Sequence, residues 1–341
     1  MTKTVLHLTR LAPPHGGGVE KHLQKIIVEL SRLGFSSTII TTQHNKLLAL
    51  EEETKDYRIV RLAVPNPDAI KHKLSIWTGL LKHFSLLKNA DIIQIHDVFW
   101  WLLPFLPFLS KKKIYITFHG YENIDGPSKS QVFWHRTASK LTRGNLCIGG
   151  FHNLWYGVIP TALSFGAVNE KKVVAKKRRN SVIFVGQMRK DTGILEYLEA
   201  IKIFNDKSRR KISLEVYGDG PLESKARSFV NKYNLPVKFH GWKENASNKI
   251  GEFSFAFASQ YLSILESLIT RTPVIAIAPS KFKRDYLKTT PYAKEISIVR
   301  TPKAIAKTLL KPKEISPILQ AWARKQTWKK MAETYIELWK K

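Results

Sequence analysis

Three consecutive glycines, Gly16 to Gly18, lie between a predicted strand and a predicted helix in the stretch LAPPHGGGVEKHL. Glycine lets backbone N–H groups approach a phosphate closely, and a helix N-terminus adds unpaired donors and the positive end of the dipole. We therefore predict a phosphate-contacting turn at Gly17 and Gly18, with a simple flexible turn as the alternative. The G-x-G-x-x-G spacing of a dinucleotide site is absent from this turn.

Two later predicted strands end in titratable side chains, in the stretches IHDVFWW and FHGYE. His96, Asp97, His119 and Glu122 are therefore expected at the ligand-binding edge of a sheet. His119 is the best candidate for contact with a reacting group, because histidine donates or accepts a proton near neutral pH. Each of the four could instead be a surface or capping residue. Their spacing matches no metal-binding pattern, and no metal site is predicted.

The stretch SQYLSILESLITRTPVIAIAP, residues 259–279, is mostly apolar and contains only two charged residues, Glu266 and Arg271. It predicts a core helix followed by a core strand. Glu266 either lies on the solvated edge of that helix or reaches a ligand. Further strand-to-turn glycines, Gly218, Gly220 and Gly241, could be simple turns or ligand contacts.

The elements that position these residues alternate between strand and helix in both halves of the chain. Strands that are apolar on both faces predict buried parallel sheets with helices outside, an α/β architecture. We predict one domain over residues 1–167 and another over 182–316, joined by the basic stretch VNEKKVVAKKRRNS, residues 168–181. Residues 317–341 read as one amphipathic helix. Two doubly wound domains would present their ligand-binding sheet edges to a shared cleft.

Composition limits the class of protein. A formal net charge of +29 favours anionic partners such as nucleic acid, anionic lipid or phosphorylated substrates. Neither a zinc-finger spacing nor an RNA-recognition aromatic motif is present, which makes nucleic acid an unlikely partner. The single cysteine, the short alternating apolar run at the start and the lack of a long apolar segment predict a cytoplasmic protein.

The order of the motifs resembles the family-4-type retaining glycosyltransferases of GT-B fold. The resemblance spans essentially the whole chain: PPHGGGVEKHL, TFHGYE, GNLCIGGFHNLWYG, VGQM and TGILEYLEA, YGDGPL, FHGW, then SILESL and TPVIA. It implies two Rossmann-like domains facing a cleft. The N-terminal domain would lie on the acceptor side, the C-terminal domain would bind a nucleotide sugar, and the final helix would cross back to the N-terminal domain.

The resemblance also implies roles for individual residues. Glu266 matches the last glutamate of the family's E-x7-E motif, which accepts hydrogen bonds from ribose hydroxyls, and His119 would lie close to the transferred sugar. His96, Asp97 and Glu122 would lie on the acceptor side. The implied donor-binding set is Gly17, Gly18, Arg189, Lys190, Gly241, Trp242, Leu262, Ser263, Ile264 and Glu266. The implied co-substrate is a UDP- or GDP-linked sugar, with neither a metal nor another cofactor.

The sequence departs from the family pattern at three places. Ala258 replaces the first glutamate of E-x7-E, and ASQY replaces its glycine-rich portion. Gln187 and Thr192 stand where family members carry a phosphate-binding arginine and lysine. Arg189 and Lys190 could compensate. A second supply of cations is Lys281, Lys283 and Arg284. The alternative to an active transferase is a catalytically reduced protein that binds or regulates another transferase.

The acceptor is expected to be a glycan or a lipid-linked glycan. An anionic membrane surface is a candidate partner, which would make the protein peripheral on the inner face of the membrane. The stretch WWLLPFLPFLSKKK, residues 100–113, joins apolar residues to a lysine cluster that an anionic leaflet would attract. Its alternative interpretation is a buried helix followed by a solvated turn.

Overall fold

A computed structural model describes residues 2–64, 69–109, 112–169 and 177–341. The chain divides into two compact units. The first unit comprises Met1–Tyr121, Pro127–Ser164 and Trp328–Lys341, and the second comprises Glu122–Gly126 and Phe165–Thr327. No helix among the described residues is both long enough and apolar enough to span a bilayer.

The described part of the first unit is built on an eight-stranded sheet in the order β3-β4-β2-β1-β5-β6-β7-β8. Its strands are β1 (Lys3–Thr9), β2 (Phe35–Thr42), β3 (Glu51–Glu53), β4 (Tyr57–Leu62), β5 (Ile92–His96), β6 (Lys113–Phe118), β7 (Gly144–Ile148) and β8 (Ala162–Ser164). All neighbouring pairs are parallel except β3 with β4. The central strands are buried, as their continuous apolar runs require.

The helices of the first unit are α1 (Gly18–Arg32), α2 (Ala69–Lys82), α3 (Phe84–Asn89), α4 (Lys129–Leu141) and α11 (Trp328–Lys340). A 3₁₀-helical segment follows β5 over Phe99–Leu109, and a π-helical turn occupies His152–Tyr156. The 3₁₀ segment buries Phe99, Trp101 and Leu109, whereas Phe108 is exposed. The buried-helix interpretation of this stretch therefore holds only in part, because Pro104, Pro107 and Phe108 are exposed.

The described part of the second unit is built on a six-stranded parallel sheet in the order β11-β10-β9-β12-β13-β14. Its strands are β9 (Arg178–Val185), β10 (Ser213–Tyr217), β11 (Val237–Phe239), β12 (Phe253–Phe257), β13 (Val274–Ile277) and β14 (Ser297–Val299). Its helices are α5 (Ile194–Lys207), α6 (Glu223–Lys232), α7 (Tyr261–Leu268), α8 (Lys281–Lys288), α9 (Pro302–Thr308) and α10 (Pro317–Arg324). Two parallel-sheet Rossmann-like domains are thus confirmed.

Two predicted boundaries differ from the structure. The single helix predicted over residues 317–341 is wrong, because α10 ends at Arg324 and α11 begins at Trp328. Between the two helices, the Gln326 carbonyl accepts a hydrogen bond from the Val168 N–H at 2.8 Å instead of from a later residue of a continuous helix. In the predicted linker, residues 178–181 belong to β9, and residues 170–176 lie outside the described part of the chain.

Candidate functional site

The glycine turn connects β1 to α1 in the first unit. Gly17 is the N-cap residue of α1, and a Cβ atom there would lie 2.2 Å from Oε2 of Glu20. Glu20 folds back over the turn, with its Oε1 atom 3.0 Å from Nδ1 of His15. A Cβ atom at Gly18 would meet no atom within 4 Å. Of the two predicted phosphate contacts, Gly18 is the open one, whereas Gly17 is covered by a carboxylate.

A buried arginine from β4 holds this turn in place. The guanidinium of Arg61 donates to the carbonyl of Pro13 at 3.1 Å and to the carbonyl of Ala49 at 2.8 Å. It also pairs with Glu52 at 2.6 Å. Charge-assisted hydrogen bonds of this kind are the strong ones, so the turn is fixed to the sheet on its N-terminal side.

Histidines from three neighbouring strands form a hydrogen-bonded chain behind the sheet edge. Nδ1 of His96, the last residue of β5, lies 2.8 Å from Nε2 of His119, which follows β6. Nε2 of His96 lies 3.2 Å from Nδ1 of His7 in the middle of β1. Each of these contacts needs one donor and one acceptor nitrogen, so the tautomers of the three rings are linked. The structure thus brings together His96 and His119 and adds His7, which no local sequence motif indicated.

Helix α11 supports this chain from inside the first unit. The Tyr335 hydroxyl lies 2.9 Å from Nε2 of His22 and 2.8 Å from Oγ1 of Thr117. The His22 and His119 rings meet edge to face, with centroids 4.7 Å apart. The aromatic residues of α11 are therefore core packing that also orients polar groups next to His119.

Burial lowers the pKa values of the three hydrogen-bonded histidines, His7, His96 and His119, and of the neighbouring His22. The pKa values of His7 and His22 fall to about 3 because burial disfavours the charged ring. Burial and then the neighbouring histidines hold the pKa values of His96 and His119 well below the ordinary histidine value. The rings are therefore neutral near pH 7. His119 is suited to hydrogen-bonding a sugar hydroxyl rather than to delivering a proton as an imidazolium.

The other two predicted acceptor-side residues, Asp97 and Glu122, belong to different units. Asp97 adopts a left-handed backbone conformation with φ of 61°, and its Oδ1 atom accepts a hydrogen bond from the backbone N–H of His119 at 3.1 Å. Asp97 thereby fixes the position of His119. Glu122 belongs to the second unit, in the short segment Glu122–Gly126, whereas His96 and Asp97 belong to the first.

In the second unit, Glu266 is buried, with 5% of its surface exposed. It lies on α7, the helix that follows β12, beside Ser267, which is fully buried. The interpretation of Glu266 as a residue on a solvated helix edge is therefore wrong. A buried carboxylate is stable only where hydrogen-bond donors or cations surround it.

The N-terminus of α7 offers fewer backbone donors than predicted. The first intrahelical bond runs from the Ile264 N–H to the Gln260 carbonyl at 3.0 Å, so this amide is used within the helix. The Tyr261 N–H donates to the Tyr286 hydroxyl at 3.3 Å. Leu262 and Ser263 are the two predicted residues whose amides the helical ladder leaves unbonded at this end. The predicted backbone contact of Ile264 with a diphosphate would therefore compete with this helical hydrogen bond.

The loop between β9 and α5 carries the predicted substitute cations. Arg189 pairs through Nε with Oδ1 of Asp191 at 2.9 Å, while Lys190 is exposed. Oδ2 of Asp191 accepts from the Gln260 side chain at 2.9 Å, which ties this loop to the start of α7. Thr192 donates its hydroxyl to carbonyls of its own loop at 2.8 Å. Thr192 therefore folds the loop and does not replace a cation.

A lysine from α8 lies within electrostatic range of Arg189 and Asp191. Lys283 of α8 is completely buried, with Nζ 4.5 Å from the centre of the Tyr286 ring. Burial lowers its pKa to about 7, an effect that the charge of Asp191 opposes and that of Arg189 reinforces. In the sequence, Lys283 was one of three residues, with Lys281 and Arg284, that could replace the missing phosphate-binding cations. Its burial depends on tertiary packing, which no local pattern indicates.

The other glycines of this unit differ in role. A Cβ atom at Gly218 would lie 2.0 Å from the Gly186 carbonyl, and one at Gly220 would lie 2.8 Å from the Met188 backbone. These two glycines permit close packing of neighbouring turns. Gly241 has φ of +66° and open space around it, and the adjacent Trp242 is 59% exposed. An exposed tryptophan at a sheet edge is available to stack on a planar ligand.

Two family models match consecutive parts of the chain. The model described as Glycosyltransferase Family 4 matches residues 16–185, and the model described as Glycosyl transferases group 1 matches residues 167–326. The chain belongs to the family-4-type glycosyltransferases of GT-B fold, which confirms the resemblance seen in the motifs. A comparison with curated protein sequences gives no match.

Solved structures show the same fold at low sequence identity. Sucrose-phosphate synthase from Thermosynechococcus elongatus superposes with a TM-score of 0.68 at 14% identity, over 99% of this chain and 95% of the other. A variant of S. aureus TarM in complex with fondaparinux, α-GlcNAc-glycerol and UDP gives a TM-score of 0.68 at 12% identity, over 99% and 100%. WaaG, a glycosyltransferase involved in lipopolysaccharide biosynthesis, gives 0.62 at 12%, over 98% and 95%.

Proposed function

We propose that the protein transfers a hexosyl group from a UDP- or GDP-linked sugar to a glycan or lipid-linked acceptor, with retention at the anomeric carbon. Membership of the family supports sugar transfer. The observation that carries the donor assignment is the buried carboxylate of Glu266 on α7, at the position of the family's ribose-binding glutamate. The UDP bound to the TarM variant and the lipopolysaccharide role of WaaG favour a nucleotide donor and a carbohydrate acceptor here.

The transition state of such a transfer is oxocarbenium-like, with charge growing on the departing diphosphate. The residues available to stabilise that charge are the amides of Leu262 and Ser263, the exposed ammonium of Lys190, and the Arg189–Lys283 pair around Asp191. His119, neutral and held by His96 and Asp97, would hydrogen-bond the transferred sugar. In this proposal these residues stabilise the charge without a metal.

A second candidate is a catalytically reduced member of the fold that binds or regulates another transferase. It is favoured by Ala258, which replaces the family's first glutamate and is buried, and by Thr192, whose hydroxyl is used within its loop. In that case nucleotide-sugar binding would persist without turnover. A nucleic-acid-binding protein is a weaker alternative that rests on net charge alone.

The test is a thermal-shift panel of UDP- and GDP-linked sugars with the wild type and Glu266→Gln. A ligand that binds the folded state alone raises its stability by about 2.7 kcal/mol at 100 times its Kd. We expect one donor to give a shift that Glu266→Gln removes, and NMR of the reaction product to show the donor's anomeric configuration. Binding without turnover would support the second candidate. No shift with any donor would contradict both, and salt-sensitive binding of DNA would then favour the third.

A further inference from the structure

An exposed apolar groove of about 490 Å³ lies in the first unit, between α2 and the 3₁₀ segment Phe99–Leu109. Four α2 residues line it at helical spacing, namely Leu74, Trp77, Thr78 and Leu81. The opposite wall is formed by aromatic side chains and a proline: Phe84, Pro104, Phe105 and Phe108. We call this surface the α2 groove.

The rim of the α2 groove exposes large apolar side chains to solvent. Leu74 is 51% exposed, Leu81 is 63% exposed and Phe108 is 75% exposed. Single exposed apolar residues are ordinary, but a contiguous group around a concave surface marks an interaction site.

The segments that line the α2 groove carry basic residues and no acidic ones. Residues 69–90 and 98–113 contain neither Asp nor Glu, although they contain several lysines. Lys71 and Lys82 lie to one side of the apolar stripe of α2 by helical periodicity, and Lys73 lies to the other; all three are exposed. Glu51 of β3 is within electrostatic range of His83 at the end of α2, but it is already paired with Arg58 at 2.6 Å.

Tryptophans border the apolar surface next to these lysines. The Trp77 indole N–H donates to the Trp100 carbonyl at 3.3 Å, and Nζ of Lys73 lies 5.9 Å from the Trp100 ring. Apolar residues flanked by tryptophan and lysine are the composition of surfaces that lie in a membrane interface. A protein partner would be expected to meet a rim of mixed charge, whereas an anionic leaflet complements a rim of positive charge alone.

We propose that the α2 groove seats on an anionic lipid leaflet, with Leu81 and Phe108 entering the acyl region while Lys71, Lys73 and Lys82 contact lipid head groups. The link to a lipid-linked acceptor rests on the proposed function, but vesicle binding itself does not. Each basic residue near an anionic surface contributes about 1 kcal/mol, so three lysines correspond to roughly 100-fold in partitioning.

Co-sedimentation of the full chain with phosphatidylcholine vesicles, with and without phosphatidylglycerol, tests the electrostatic part. We expect binding to the anionic vesicles, and a loss of roughly 100-fold when Lys71, Lys73 and Lys82 are all changed to Gln. The charge-matched control changes Lys225, Lys238 and Lys243 of the second unit, all exposed, to Gln and should lose far less.

A site-specific label tests the apolar part. Cys147, the single cysteine, is buried, so a surface cysteine can be labelled selectively. We expect an environment-sensitive dye at Phe108→Cys to shift to the blue on anionic vesicles. The same dye at Ile318→Cys, a position on α10 that is 83% exposed, should not shift. The double variant Leu81→Ser and Phe108→Ser should weaken vesicle binding by at least about tenfold.

Several outcomes would overturn this proposal. Equal pelleting on neutral and anionic vesicles would remove the role of the lysines, and an unshifted dye at position 108 would remove insertion. Self-association in the absence of vesicles, abolished by the double serine variant, would assign the groove to a second copy of the chain. One further outcome separates the two proposals. If no donor gives a thermal shift while vesicle binding persists, the proposed function is contradicted and the membrane-binding proposal is not.

Discussion

At the scale of residues, the buried histidines of the first unit link protonation to stability. Their folded-state pKa values lie below the ordinary value, to about 3 for His7 and His22, so the folded protein binds fewer protons than the unfolded chain between pH 6.5 and pH 3. The free energy of unfolding must then fall as pH drops through this window, by up to about 1.4 kcal/mol per pH unit for each such histidine.

Urea unfolding between pH 7.5 and pH 5 measures this effect. We expect His22→Gln to be less stable than the wild type at pH 7.5, with a shallower dependence on pH, because one buried histidine no longer has to stay neutral. His83→Gln, at a half-buried position after α2, is the control. An unchanged pH slope in His22→Gln would show that the His22 ring is charged in the folded protein.

The buried Lys283 should also make the free energy of unfolding rise with pH, but over a higher pH range than the histidines. Burial lowers its pKa from 10.5 to about 7, so the folded protein binds fewer protons than the unfolded chain between these values, and stability rises with pH there. We expect Lys283→Met to stabilise the protein by roughly 1–3 kcal/mol at pH 7, an advantage that shrinks toward pH 10. The same variant should bind the nucleotide sugar more weakly if Lys283 contacts the diphosphate. Calorimetric unfolding and donor titration measure the two effects separately.

At the scale of elements, α11 is part of the histidine site as well as of the core. Tyr335→Phe keeps the ring packing but leaves the His22 and Thr117 partners of the hydroxyl unsatisfied in a buried position. We expect a loss of about 1–3 kcal/mol in the free energy of unfolding. The matched control is Tyr233→Phe, at the exposed end of α6, which should change stability by less than about 0.5 kcal/mol. Equal losses in both variants would contradict the role assigned to α11.

The elements that the sequence predicted correctly are those with strong local signals. Runs rich in apolar residues, such as IIQIH and VIFV, located β5 and β9, and helical spacing located α1 and α5. β3 has the sequence EEE, which disfavours a strand, and it forms because Arg58 and Arg61 of β4 pair with Glu51 and Glu52.

The site followed the same rule. The strand-end positions of His96 and His119 follow from local alternation, so their proximity could be predicted. The contact between His22 and Tyr335 joins positions 313 residues apart, and the burial of Lys283 depends on packing around α8. Contacts at such separation leave no local periodicity, and therefore only the folded chain reveals them.

At the scale of the whole molecule, a net charge of +29 means that an approaching diphosphate meets an attractive field before it reaches any single residue. Exposed charges are screened over about 10 Å at 0.1 M salt, so this attraction weakens as salt increases. Long-range attraction acts on the association rate, whereas close contacts such as those proposed for Glu266 act on the dissociation rate.

Stopped-flow binding of a fluorescent nucleoside diphosphate at increasing salt separates these contributions. We expect the association rate constant to fall by about tenfold between roughly 0.02 M and 0.5 M NaCl, with a much smaller change in the dissociation rate constant. Glu266→Gln should raise the dissociation rate at every salt concentration and leave the salt slope of association unchanged. Changing Lys207, Lys225 and Lys238 to Gln, three exposed lysines that are not neighbours in sequence of the donor residues named above, should lower association at low salt and converge with the wild type at high salt. A salt-independent association rate would show that the excess positive charge serves another partner, for which the lysines of the α2 groove are the first candidates.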